Sequence, residues 1–116
     1  MRVRVFLFAS AFVVSSLVGP SASASAIPVK IVNLTHVHNG GNEDIAGDIR
    51  SAKGRCKRNA NVDVTDPNTT TGQVVSDSTG HFAISRPYVA GTWNVKVERG
   101  GDLRRHCGGA HKSFTA

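Results

Sequence analysis

Ser76-Asp77-Ser78-Thr79-Gly80-His81-Phe82 joins two short alternating runs and lies between the chain's two cysteines, Cys56 and Cys107. Asp and Ser side chains hydrogen-bond to a turning backbone, and Gly takes φ values that other residues avoid. The segment therefore predicts a tight connection from a strand at Gln73-Val74-Val75-Ser76 to another at His81-Phe82-Ala83-Ile84-Ser85, with Phe82 and Ile84 on a common face. The same grammar repeats on either side. Val62-Asp63-Val64-Thr65 alternates and stops at Asp66-Pro67-Asn68, because proline cannot donate to a ladder. Thr92-Trp93-Asn94-Val95-Lys96-Val97-Glu98 alternates most clearly, with Trp93, Val95 and Val97 inward. Ile45, Gly47 and Ile49 share one face upstream, and after the Gly100-Gly101-Asp102 turn, residues 103–107 and 111–114 supply two last short strands. No window sustains a 3.6-residue period, so no helix is expected. Short strands punctuated by turns predict an all-β fold, a two-sheet antiparallel β-sandwich of about seven strands.

Residues 1–26 have the plan of a secretory signal peptide: Arg2 and Arg4, an apolar segment over 5–18, then Ala22-Ser23-Ala24-Ser25-Ala26. The apolar segment falls short of the roughly 20 residues needed to span a bilayer. Cleavage after Ala26 predicts a secreted or periplasmic mature protein with no transmembrane segment. That mature chain divides into an N-terminal edge strand or ordered arm over 27–44, closed by the turn Asn39-Gly40-Gly41-Asn42, and a sandwich domain over 45–116. A core of this size is marginal, and Cys56 and Cys107 in an exported chain read most simply as one disulfide, two buried thiols being the alternative. Closing a loop of about 50 residues would remove on the order of 4 kcal/mol of unfolded-chain entropy.

A resemblance to a known family rests on Gly47-Asp48-Ile49, Cys56, Val62-Asp63-Val64, the turn from Ser76 to Phe82, and Gly91-Thr92-Trp93-Asn94-Val95-Lys96-Val97. In that order these resemble the carboxypeptidase regulatory-like group of prealbumin (transthyretin-like) β-sandwiches, over residues 45–115. The resemblance implies a prealbumin-like sandwich, and a Cys56 to Cys107 pairing similar to that of small exported members. The 27–44 arm has no clear counterpart in the family, and no catalytic domain follows for a regulatory domain to act on. Transthyretin-related hydrolases carry a C-terminal Tyr-Arg-Gly-Ser, whereas this chain ends Lys112-Ser113-Phe114-Thr115-Ala116, so that activity is not expected.

Fourteen Lys and Arg face eight Asp and Glu, a net charge of +6; without Arg2 and Arg4 the balance is twelve against eight, or +4. Lys53, Arg55, Lys57 and Arg58 surround Cys56, and Arg104 and Arg105 precede Cys107. A disulfide would draw both basic runs to one end of the sandwich, a candidate anion-binding patch. His36-x-His38 would place two imidazoles on one face of a strand, a spacing that binds Zn²⁺ or Cu²⁺ where Glu43, Asp44, His106 or His111 adds a third ligand. In a polar arm beside a Gly-rich turn the expectation is instead solvated histidines, with no metal and no cofactor. The remaining histidines and carboxylates match no nucleophile elbow, phosphate loop or metalloprotease motif, so no catalytic residue is expected. Few aromatic residues are free of the core, which leaves no stacking platform for single-stranded nucleic acid or sugars. The sequence thus predicts a non-enzymatic protein that binds an extracellular or envelope partner, an anionic polymer fitting best. A structural envelope protein without a ligand is the alternative, and a small secreted hydrolase or inhibitor a more distant one.

Overall fold

The computed structural model describes residues 26–100 and 106–116. Residues 1–25 of the predicted signal peptide, Arg104 and Arg105 lie outside the described residues. Seven strands form: β1 (Lys30–Asn39), β2 (Asn42–Arg50), β3 (Asn61–Thr65), β4 (Thr71–Val75), β5 (His81–Pro87), β6 (Thr92–Val97) and β7 (Ala110–Thr115). All neighbouring pairs are antiparallel, in a three-stranded sheet ordered β1-β2-β5 and a four-stranded sheet ordered β4-β3-β6-β7. The two-sheet sandwich is thus as read from the alternation.

Period-two patterning fills the space between the sheets. Ile31, Ile45, Ile49 and Phe82 point inward from one sheet, and Val62, Val64, Trp93, Val95 and Val97 from the other. Phe82 fits because its cross-strand partner is Gly47, where a Cβ would sit 2.7 Å from the Phe82 Cζ. Trp93 is fully buried, and its indole N–H donates to the Val89 carbonyl at 2.8 Å, so the one polar atom of the largest core side chain is satisfied.

The turn from Ser76 to Phe82 is built by its side chains. Asp77 Oδ1 accepts from the backbone N–H of Thr79 and His81 and from the Thr79 hydroxyl. Gly80 follows at φ +92, and a Cβ there would meet the Ile49 carbonyl oxygen at 2.6 Å. Both the left-handed backbone and the close approach require glycine. Ser76 is buried and joins this turn to the segment around Cys56, its Oγ accepting from Ala60 N–H and donating to the Lys57 carbonyl.

Cys56 and Cys107 form a disulfide across 51 residues, with Cα atoms 5.4 Å apart, and no described cysteine is free. One expectation is corrected here. A single α-helical turn occupies Gly54–Lys57, with only Cys56 buried; one turn is too short to write a helical period into the sequence. In the predicted strand over 103–107, residues 103–105 lie outside the described residues, and Cys107 makes one isolated parallel bridge with Ile27.

The segment from Lys30 is a sheet edge. Its pairing with β2 shifts between Val32 and Thr35: three residues of β1 are taken up against two of β2, from Asp48 to Ala46. Asn33 adopts φ 54 within that bulge. An extra residue reverses the facing of everything beyond it. Ile31 faces inward before the bulge and Leu34 after it, while Val37 turns outward at 59 % exposure. His36 and His38 share the phase of Leu34.

Candidate functional site

Antiparallel topology gives the sandwich two ends. At one end are the start of β1, the segment between β2 and β3 that carries the helical turn, the turn around Gly80 and the segment between β6 and β7. Lys53, Arg55 and Arg58 are exposed there and Lys57 half-exposed. The disulfide brings Cys107 alongside, but Arg104 and Arg105, the other two members of the predicted patch, lie outside the described residues. Three cations that sequence reading did not assign to this end also reach it. Lys30 and Arg50 are cross-strand partners at the paired ends of β1 and β2. Arg99 precedes Gly100, whose N–H donates to the Cys107 carbonyl. Register would have found the first two, since the end of β2 feeds directly into the basic run.

Carboxylates share this end: Asp77 lies in the turn around Gly80, and Glu98 follows directly on β6. Asp44 and Asp48 are on the outer face of the three-stranded sheet, opposite to the buried Ile45 and Ile49. Asp44 is held below the usual carboxylate range by hydrogen bonds from Ser85 and Asn39. Asp48 is lowered by hydrogen bonds from Asn33 and from His81, whose Nδ1 lies 2.9 Å from it. On the outer face of the other sheet, Glu98 is pushed up by sharing hydrogen bonding with Asp63 and by the repulsion between them.

The opposite end holds a second arrangement. Glu43 is 1 % exposed, facing inward in phase with Ile45. His36 Nδ1 lies 2.7 Å from its Oε2, and His38 Nδ1 lies 3.9 Å from its Oε1. Glu43 Oε1 is buried without a hydrogen-bond partner. The His36 ring stacks on Phe114 at 4.2 Å between centroids, Phe114 stacks on Trp93 at 5.9 Å, and His38 meets the Tyr88 ring edge-on at 4.3 Å. Together His36, His38, Glu43, Tyr88, Thr115 and Ala116 line an open recess of about 360 Å³.

His36 and His38 are both exposed, as expected, but the bulge at Asn33 also turns them toward Glu43, and each ring rests against an aromatic one. Of the partners considered for them, only Glu43 joins the pair. Asp44 faces the other side of β2, His111 Nε2 pairs with Asn94 Oδ1 at 3.2 Å, and His106 is exposed at the disulfide end. Among the described residues no three His, Cys, Asp or Glu side chains are arranged to hold a metal ion together. No helix among them is long and apolar enough to cross a membrane. Comparison with protein-family models, with curated proteins and with solved structures finds no significant match to this chain.

Proposed function

We propose that this chain is an exported, non-enzymatic binding module that holds anionic polymers of the cell exterior against the disulfide end of its sandwich. The observation that carries the reading is the gathering of Lys30, Arg50, Lys53, Lys57, Arg58 and Arg99 at that one end. Separate stretches of sequence contribute them, and they outnumber the carboxylates that stand with them, Asp77 in the Gly80 turn and Glu98 after β6. Clustered cations bind polyanions by releasing the counterions condensed on them, so affinity falls as salt rises. Arg104 and Arg105, just before Cys107, would add to the same cluster. Export is supported by the 1–26 segment and by the disulfide, a bond that persists in oxidising compartments. Kinship with prealbumin-like sandwiches belongs to the same proposal, supported by the ordered motifs and the seven-stranded architecture.

The test is chromatography on immobilised heparin in a salt gradient, comparing two double variants that remove equal charge. Lys53→Ser with Arg58→Ser should elute at clearly lower salt than wild type, and Arg86→Ser with Lys112→Ser, away from that end, should elute close to it. Equal shifts in both would mean that net charge alone acts. Absence of wild-type retention would favour a structural protein without a ligand.

A further inference from the structure

We propose that the cleft over the paired ends of β6 and β7 is a subsite in which Lys96 and Arg99 hold one tetrahedral oxyanion, the sulfate or phosphate group of an anionic polymer. The inference rests on the polyanion reading above and gives it a point of defined contact. The cleft has a volume of about 510 Å³, and Val97, Gly109, Ala110 and His111 complete its lining. Lys96 and His111 are cross-strand partners on the outer face of the four-stranded sheet, which sets their Cβ atoms about 5 Å apart. Arg99 follows β6 by two residues and enters the cleft from the disulfide end.

The backbone makes the room. A Cβ at Gly109 would lie 2.9 Å from the Val97 carbonyl oxygen and 3.5 Å from Arg99 Cγ. Glycine there lets the approach to β7 lie close against β6 and gives the Arg99 stem a flat seat. His111 is steadied by Asn94, whose Oδ1 lies 3.2 Å from its Nε2, so the ring forms a fixed side of the cleft.

The charge is segregated across the sheet. Asp63 is the partner of Lys96 on β3, yet its Oδ1 accepts from Gln73 Nε2 at 2.8 Å, and Glu98 Oε2 accepts from the same nitrogen at 3.1 Å. Gln73 stands on β4, the edge of the sheet opposite β7, so both carboxylates are drawn away from the cleft. Glu98 attracts Lys96 only at longer range. No carboxylate lines the cleft, and neither Lys96 nor Arg99 makes an ion pair among the described residues. The donor set also selects the anion. A guanidinium fork engages two oxygens at once and an ammonium takes a third; a sulfate or phosphate ester offers three, whereas a carboxylate offers two.

The test follows amide shifts of the ¹⁵N-labelled oxidised protein during titration with sodium sulfate, with sodium phosphate and, as control, with sodium acetate, all at constant ionic strength. Saturable shifts centred on residues 96–99 and 109–111 are expected with sulfate or phosphate and not with acetate, and the stronger of the two probes tells which ester the cleft takes. Lys96→Gln should weaken that response about 10-fold, the loss of one charge-assisted hydrogen bond, while Lys53→Ser with Arg58→Ser should leave it unchanged. Shifts centred on residues 53–58, an equal response to acetate, an undiminished response in Lys96→Gln, or no response at the cleft each overturn the subsite, even where heparin still retains the wild type and the broader reading holds. Localised shifts in a protein that heparin does not retain would uphold the oxyanion cleft and remove the polymer.

Discussion

Replacing both Cys56 and Cys107 by alanine removes the one covalent tie across the sandwich. The bond closes 51 residues, and the loop-entropy relation assigns such a closure about 4 kcal/mol at 25 °C. Cys56 is fully buried and Cys107 nearly so, so truncating them adds cavity costs on the order of 1 kcal/mol. A domain of this size has a net stability of roughly 4 to 13 kcal/mol, so the loss takes a third or more of it. Urea unfolding followed by far-ultraviolet circular dichroism and by Trp93 fluorescence measures the effect. With a slope of about 1 kcal/mol per molar urea for a small domain, the midpoint should fall by several molar, or the folded baseline should vanish. The slope itself should rise, because an untied unfolded chain exposes more surface. A double variant whose midpoint stays within about 1 M of wild type, at unchanged slope, would refute the reasoning.

Trp93→Ala should cost about 3 to 5 kcal/mol through lost burial and the cavity left behind, whereas Asn94→Ala, on the outer face of the same strand, should be close to silent; paired chemical denaturation curves compare them. Asp77 is held below the usual carboxylate range by hydrogen bonds from the Thr79 hydroxyl and from the backbone of His81 and Thr79. A lowered folded pKa contributes stability that is present above the unfolded value and lost as pH falls through the folded one. The melting temperature should therefore drop below about pH 4, less steeply in Asp77→Asn; Glu98, raised beside Asp63, contributes with the opposite sign.

Strands were legible wherever an apolar residue marked every second position. Trp93, Val95 and Val97 show their inward face in the sequence alone, as do Phe82 and Ile45. The basic end was legible in part, since Cys56 and Cys107 carry their basic neighbours with them. Lys30, Arg50 and Arg99 escaped because their place depends on which strand ends lie together. Glu43 was named beside the histidines, but its burial was hidden by its chemistry: it occupies the inward phase of Ile45, Gly47 and Ile49, and a carboxylate after a Gly-Gly turn reads as solvent-facing loop. Extending the alternation back by one step is the signal that would have found it. That His36 and His38 share a face was legible, but which face was hidden by the bulge, since strict alternation from Ile31 puts them on the outside. A single positive φ at Asn33 reverses that, and Asn, one of the few residues that tolerates it, gives only a faint mark in sequence.

The two candidate sites differ in how the fold holds them. At the disulfide end, cations stand on turns and strand ends, so the covalent bond and Ser76 add to the gathering that the β1–β2 ladder does for Lys30 and Arg50. Long exposed side chains on such segments keep their freedom, which suits contact with a polymer of irregular charge spacing. At the other end, position is inherited from the core. Trp93, fixed by burial and by its bond to Val89, stacks on Phe114, which stacks on His36, which is bonded to Glu43. Each ring limits the next, so a centre of packing reaches the recess through three contacts and leaves the imidazole planes little room to turn. One sandwich thus offers a loose charged end and a rigid nitrogen-bearing end, the first set by a cross-link and the second by one extra residue in an edge strand.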